Sequence, residues 1–204
     1  MTDPAGRQTT GEVLLTTERL LLRQFTAADV DLLVELDSDP AVMHFVTGGR
    51  PTPQSEIEQE VLPHFLAFYD QPGDYGFWAA VEKATGDFLG WFHLRPAKGA
   101  AQDEPELGYR LRRAAWGHGY ATEGAEALID AGFTRQGVRR VVAETLAVHV
   151  ASRRVMEKAG LTLVRTSRQP WPYAIEGDEE GDVEYALLRE DWEARRSARA
   201  DFRR

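Results

Sequence analysis

Pro105 to Phe133 constrains this chain more than any other stretch. A strand-like run, Pro105 to Leu111, leads through Arg112-Arg113-Ala114-Ala115-Trp116-Gly117-His118-Gly119 into a helical run that begins at Tyr120. That run keeps Ala121, Ala125, Leu128, Ile129 and Phe133 on one face. Two glycines one residue apart admit backbone torsions that a Cβ forbids, and they let main-chain N–H groups come close to a ligand. A helix starting there adds unpaired N–H donors and the positive end of its dipole. The segment reads as an anion cradle, with a pyrophosphate as its guest. A G-x-G alone is a weak pattern, so the rest of the chain has to decide which cradle it is.

The 204 residues, 43% hydrophobic and 28% charged, suit one globular domain with a sizeable core. The expected division is a disordered leader over 1–12, a single domain over 13–194 and a basic tail over 195–204. With no cysteine, disulfides, thiolate metal sites and a cysteine nucleophile are excluded. No apolar run has the length of a membrane span, and the polar start lacks the core of a signal peptide, so a soluble cytoplasmic protein is the expectation. A net charge of −9 argues against non-specific nucleic-acid binding. His44, His64, His93 and His149 show no metal-ligand spacing, so no metal site is expected. His93, alternating within a strand, reads as a satisfied structural histidine.

Arg19 to Phe25 reads as a strand, and Thr26-Ala-Ala-Asp29 as a capping box opening a helix with Val30, Leu33, Val34 and Leu36 inward. Residues 37–53, with Gly48-Gly49 and three prolines, read as loop. Thr52-Pro53 serves as N-cap and first residue of a helix carrying Ile57, Val61, Phe65 and Phe68, with Pro63 as a kink. Phe77 to Glu82 and Phe88 to Leu94 form a hairpin about a turn at 83–87. Val138 to Leu146 is a strand and Ser152 to Ala159 a helix ended by Gly160. Leu161 to Arg165 and Val183 to Leu188 are the last strands, with an acidic connection near 176–184. The order β-α-α-β-β-β-α-β-α-β-β implies a largely antiparallel sheet with helices on it, not a doubly wound fold.

Four segments, in this order and spacing, carry a family resemblance over roughly Thr17 to Trp192. They are Thr17-Glu18-Arg19-Leu20-Leu21-Leu22-Arg23, the turn Gly86-Asp87-Phe88-Leu89-Gly90, Glu106-Leu-Gly-Tyr-Arg-Leu with Trp116-Gly-His-Gly-Tyr-Ala-Thr-Glu123, and Ala151-Ser152-Arg-Arg-Val-Met-Glu-Lys-Ala-Gly-Leu161. Together they resemble the GNAT superfamily of N-acetyltransferases, and within it the ribosomal-protein N-acetyltransferase (RimJ/RimL-like) branch. The resemblance implies an α+β (mixed α/β) fold: a largely antiparallel sheet of six to seven strands, about four helices, and strands splayed at the cofactor site. It implies acetyl-CoA as cosubstrate, with Leu111, Arg112 and Arg113 bordering pantetheine and Trp116, Gly117, His118, Gly119, Tyr120, Ala121 and Thr122 at the phosphates.

Three positions depart from the family pattern. Trp116 stands where Gln or Arg is usual. His149 stands where an Asn usually bonds the cofactor's amide chain. Met156 stands where many relatives carry a tyrosine general acid, and methionine has no proton to give.

Acetyl transfer to an amine needs a base, an oxyanion donor and an acid for the leaving thiolate. Glu106, on the strand entering the cradle, is the candidate base, or else an ordinary ion-paired carboxylate. Glu144 is the reserve, or a buried paired group. Ser152 is the candidate acid by resemblance, or simply a helix cap. A main-chain N–H near Leu111 is the oxyanion donor. Arg153, Arg154 and Lys158 either pair with the 3′-phosphate of CoA or form a solvated helix face. Phe45, Trp171 and Tyr173 are placed at the acceptor site, or in a satellite packing cluster. The acceptor is a primary amine, of a protein N-terminus or of a small molecule, and a homodimer stays open. A non-catalytic acyl-CoA-binding or regulatory module is the competing reading. A dinucleotide-dependent oxidoreductase needs a third glycine at position 122, where this chain has Thr122.

Overall fold

The computed structural model describes residues 11–71, 73–97, 99–168 and 173–201. Eight strands form one sheet in the order β1-β2-β3-β4-β5-β6-β8-β7. They are β1 Val13–Thr16, β2 Leu20–Gln24, β3 Gly76–Glu82, β4 Phe88–Pro96, β5 Pro105–Leu111, β6 Arg140–Leu146, β7 Thr162–Ser167 and β8 Asp182–Leu188. Six helices accompany them among the described residues: α1 Val30–Ser38, α2 Pro40–Thr47, α3 over 54–66, α4 Tyr120–Arg135, α5 Val150–Ala159 and α6 Arg189–Asp201. The mixed, mostly antiparallel sheet is as expected. The strand and helix numbers exceed the expected six to seven and about four.

All neighbouring strands run antiparallel except β5 and β6. Those two run parallel and meet at one register pair, Glu106 with Val142. Beyond it they part. Alternation along β5 sends Leu107, Tyr109 and Leu111 toward the core shared with α4 and α5, where Phe92, Leu128, Ile129 and Met156 are buried. Glu106, Gly108 and Arg110 face the other way, toward the side where Phe25, Leu33, Ile57, Phe65 and Phe77 form a second core with α1 and α3. Parallel stacking of Phe65 on Phe77, with ring centroids 3.8 Å apart, fixes α3 on the sheet.

The expected loop at 37–53 contains α2. Asp39 caps it by accepting from the Ala41 N–H at 2.9 Å, Pro40 sits in its first turn, and Gly48 closes it at φ 69°. The proline and glycine that read as loop are the helix's own start and stop signals. Thr52 does not cap α3. Its hydroxyl donates to Asp37 Oδ2 at 2.8 Å, and Pro53 takes the cap position. A π turn over Ile57–Val61 precedes Pro63 and absorbs its missing N–H. The basic run expected as a tail from 195 continues helix α6 as far as Asp201, anchored by Trp192 stacked on Phe133 at 5.1 Å. The capping box at Thr26 and Asp29 forms as expected.

Candidate active site

Where β5 and β6 part, a cleft of about 1110 Å³ opens, lined by β5, Trp91 of β4, the end of β6, α2, the glycine turn, the first turn of α4 and α5 along its length. Sequence-expected residues that meet there are Glu106, Leu111, Trp116, Gly117, Gly119 to Thr122, Glu144, His149, Ser152 and Phe45.

Gly117 and Gly119 adopt φ 77° and 83°, a region that side chains rarely enter. A Cβ on Gly117 would meet no atom within 4 Å, so the turn is open to a ligand. Gly119 is the N-cap of α4, and no side chain caps that helix. The first-turn amides of Tyr120, Ala121 and Thr122 therefore lack intrahelical partners and point out of the helix end. Trp116 is 46% exposed and donates from its indole N–H to the Leu111 carbonyl at 2.8 Å. His118 lies outside the cleft lining, and its carbonyl accepts from Arg19 at 2.9 Å.

Arg112 and Arg113 turn their side chains away. Arg112 pairs with Glu35 at 2.7 Å and Arg113 with Asp39 at 3.6 Å, and neither residue is part of the cleft lining. Arg153 is also engaged elsewhere, with the Tyr185 hydroxyl at 3.1 Å and the Ala147 carbonyl at 2.9 Å. Arg154 and Lys158 line the cleft.

The Glu106 side chain is 28% exposed, with Arg95 Nη2 at 3.6 Å and His93 Nε2 at 4.0 Å. Burial pushes its carboxyl up from the ordinary range, and Arg95 opposes this. Glu144 is not buried: its side chain is 46% exposed, held loosely by Arg165 at 3.9 Å. Its pKa is raised too, by partial burial and then by the carboxylates of Glu184 and Glu106. His93 is not satisfied as expected. It is buried, and among the described residues neither ring nitrogen has a hydrogen-bond partner; burial together with Arg95 and Arg110 holds it well below its usual pKa.

Ser152 is not a cap. His149 holds the N-cap position of α5, and Ser152 sits buried in the first turn. There it meets Tyr109, whose hydroxyl lies 3.0 Å from the Ser152 carbonyl and 3.1 Å from its Oγ. Burial raises the Tyr109 phenol to about 12, so it stays protonated at working pH. The sequence reading missed Tyr109. Its only signal was the alternation that sends it to the same face of β5 as Leu111. Met156 lines the cleft and is buried.

Phe45 stacks on His149 with centroids 4.2 Å apart, and His149 Nδ1 lies 3.2 Å from Thr145 Oγ1. Burial, then the neighbouring His44, lowers His149 to about 4, leaving it neutral. Tyr173 lies outside the cleft lining, its ring 5.1 Å from the Arg50 guanidinium. Trp171 lies outside the described residues. Among the described residues, no three His, Asp or Glu side chains converge as a metal site, and no helix is long and apolar enough to cross a membrane.

A split, mostly antiparallel sheet whose gap ends at a glycine-lined helix N-terminus defines a binding fold for a long ligand with an anionic end. The chain belongs to the GNAT acetyltransferase family, whose domain model matches residues 19–162. It is an acetyltransferase by that membership. FsC-acetyl coenzyme A-N(2)-transacetylase of Aspergillus fumigatus is 35% identical to it over 184 residues, covering 87% of this chain and 77% of that protein. The uncharacterised YkkB of Bacillus subtilis is 32% identical over 160 residues, covering 76% and 88%. Among solved structures, a GNAT acetyltransferase from Bacillus anthracis superposes with a TM-score of 0.69 at 22% identity, covering 86% of this chain and 98% of that one. RimL, the ribosomal L7/L12 α-N-protein acetyltransferase in complex with coenzyme A, gives 0.68 at 21%, covering 87% and 98%. These two establish the likeness of fold.

Proposed function

We propose that this chain is a cytoplasmic enzyme that moves the acetyl group of acetyl-CoA directly to a primary amine within one ternary complex. The observation that carries the reading is the single rung between β5 and β6: the gap beyond it joins the glycine turn to Glu106 and Ser152. The residues fit the cosubstrate. The amides of Gly117 and of Gly119 to Thr122 suit a diphosphate. The edge of β5 that faces the gap, from Gly108 to Leu111, has no strand partner there and suits an extended amide chain. Arg154 and Lys158 suit a terminal phosphate, while His149 offers a ring nitrogen to an amide. Acetyl-CoA supplies the acetyl group as an activated thioester.

The chain's own side chains then have three tasks. Glu106 accepts the proton of the amine, directly or through water, and its raised pKa makes it a stronger base than an ordinary carboxylate. Main-chain N–H groups of β5 near Leu111 stabilise the oxyanion. Ser152 Oγ, held by Tyr109, gives a proton at the leaving sulfur, the role that Met156 is unable to fill. Holding both reactants in one cleft makes a covalent enzyme intermediate unnecessary.

The acceptor is either a protein N-terminus or a small amine. The name of the Aspergillus relative specifies an N(2) amine, which favours a small molecule. One observation favours the alternative of a non-catalytic acyl-CoA-binding module, namely Met156 in the acid's usual place. Free-thiol release from acetyl-CoA across a panel of amines and peptides tests both. Amine-dependent release supports the enzyme; tight acetyl-CoA binding without any release supports the module.

A further inference from the structure

Trp91, His93 and Arg95 of β4 pair across the sheet with Arg110, Gly108 and Glu106 of β5, so the six positions share one sheet face. His93 lies directly opposite Gly108. A Cβ on Gly108 would stand 2.4 Å from His93 Nε2, so the imidazole occupies space that any other residue at 108 would take. Phe77 meets the ring edge-on at 4.9 Å, and Trp91 stacks on it at 5.8 Å. Only 8% of the His93 side chain is exposed. Glu106 and Gly108 line the cleft, and His93 does not.

The ring nevertheless reaches the carboxylate that does. His93 Nε2 lies 4.0 Å from Glu106 Oε1, and Arg95 Nη2 lies 3.6 Å from Oε2. Among the described residues neither ring nitrogen has a hydrogen-bond partner. A buried N–H without a partner costs stability, and an apolar side chain of similar size would fill the space without that cost. Contacts of this kind commonly tighten only once the reactants are in place.

The charged and titratable groups around the ring are Arg95 on its own strand, Glu106 and Arg110 on β5, and His64 on α3. Burial first, then the three basic neighbours, keep the imidazole neutral at working pH. A neutral imidazole carries one N–H. A second cation beside Glu106 would hold the carboxyl ionised and weaken it as a base. A neutral N–H aims the carboxylate at a smaller cost in basicity.

We propose that His93 is the positioning residue of Glu106: its Nε2–H, given room by Gly108, donates to Glu106 Oε1 and holds the carboxylate in the orientation that meets the amine. The amine proton passes to the carboxylate, and the nitrogen keeps the electron pair that forms the new C–N bond. No proton passes to the imidazole. This rests on the reading of Glu106 as the base and adds the group that aims it.

The test is thiol release by the full chain at saturating acetyl-CoA, with phenethylamine, spermidine, kanamycin and a serine-initiated peptide as acceptors. His93→Leu keeps the side-chain volume and removes the N–H. It should lower kcat about tenfold or more, the scale of one hydrogen bond to a charged group, with the KM of acetyl-CoA unchanged. The acid limb of its pH–rate profile should move to higher pH, since the ionised carboxyl has lost a donor. His93→Gln keeps an N–H near the Nε2 position and should restore most of the loss. In a Glu106→Gln background, His93→Leu should have no further effect. An unchanged kcat, an unmoved acid limb, or the same loss in the Glu106→Gln background would overturn the inference and leave acetyl transfer standing. Nitrogen-15 spectra of the unaltered chain decide the matter if His93→Leu does not fold. The His93 signal, assigned among the five histidines through His93→Gln, should show a neutral ring with its proton on Nε2, and a proton on Nδ1 alone would overturn the inference. No release with any of the four acceptors, with acetyl-CoA still bound in calorimetry, would overturn the amine-acetylating reading and the inference together.

Discussion

Arg19 donates from Nη1 to the main-chain carbonyl of His118 at 2.9 Å, across 99 positions of sequence. The same guanidinium holds Glu123, Nε to Oε2, at 2.7 Å. Glu123 in turn accepts from the Arg19 N–H at 2.9 Å and from Thr17 Oγ1 at 2.5 Å. The glycine turn is thus braced by residues outside the cleft. Two sequence segments that look unrelated, Thr17-Glu18-Arg19 and Ala121-Thr122-Glu123, form one device.

Glu123→Gln should weaken acetyl-CoA binding severalfold in calorimetry and cost about 1 kcal/mol of stability, discounted because Arg19 is part exposed. Burial pushes the Glu123 carboxyl up, but hydrogen bonds from Thr17 and Arg19 outweigh it and hold the pKa below 4.5. A depressed carboxyl contributes stability above its unfolded pKa and loses it as pH falls through the folded one. Thermal melts of the wild type should therefore decline below about pH 4.5 more steeply than those of the variant.

Gly117→Ala and Gly117→Asp separate backbone strain from charge. Both place a side chain at φ 77°, costing about 1–2 kcal/mol. Aspartate also sets a negative charge at the proposed diphosphate site. Calorimetry should show a modest loss of acetyl-CoA affinity for alanine and a loss beyond detection for aspartate, with circular dichroism unchanged. Equal affinities would remove the turn from the cofactor site.

Glu106→Gln should lower turnover by about 10²–10⁴-fold, the usual contribution of a general base, while acetyl-CoA still binds. The acid limb of the pH–rate profile should vanish with it. A carboxyl with a raised folded pKa is a burden when ionised: its stability contribution is present below about 4.5 and lost as pH rises through the folded value. The variant should accordingly melt slightly higher than the wild type at neutral pH. An unaltered profile would make Glu106 a structural ion-pair partner of Arg95.

His149→Asn should flatten the acid side of the stability curve. With the imidazole lowered to about 4 in the folded chain, its stabilising contribution is full above 6.5 and is lost as pH falls through about 4. Melting temperatures of the wild type should drop across that window, and those of the variant should drop less. The variant should also lose the Phe45 stack, which a lower melting temperature at pH 7 would register.

Local chemistry made the strand–glycine–helix unit, the β3–β4 hairpin and the capping box at Thr26 legible, because each is set by neighbours in sequence. Helix α2 escaped because its prolines and Gly48 read as loop formers, whereas Pro40 opens the helix and Gly48 closes it, with Asp39 as its cap. Knowing α2 would have fixed Phe45 on a wall of the cleft. The Tyr109–Ser152 pair was beyond reach, since its partners lie 43 positions apart on different elements. Alternation predicted that Glu144 shares a face with Val142 and Leu146, but burial varies along that face. The gap beside β6 leaves Glu144 exposed, while Leu146 stays inside. Side-chain direction was similarly hidden for Arg112, Arg113 and Arg153, whose charges are spent on Glu35, Asp39 and Tyr185.

A sheet stitched across its middle at one point has a built-in seam. β1 to β5 on one side and β6 to β8 on the other depend on their covering helices to stay in register. Whatever lies along the seam acts as a missing ninth strand. Occupancy should slow amide deuteration along Gly108 to Leu111 and bind the two half-sheets into one unfolding unit.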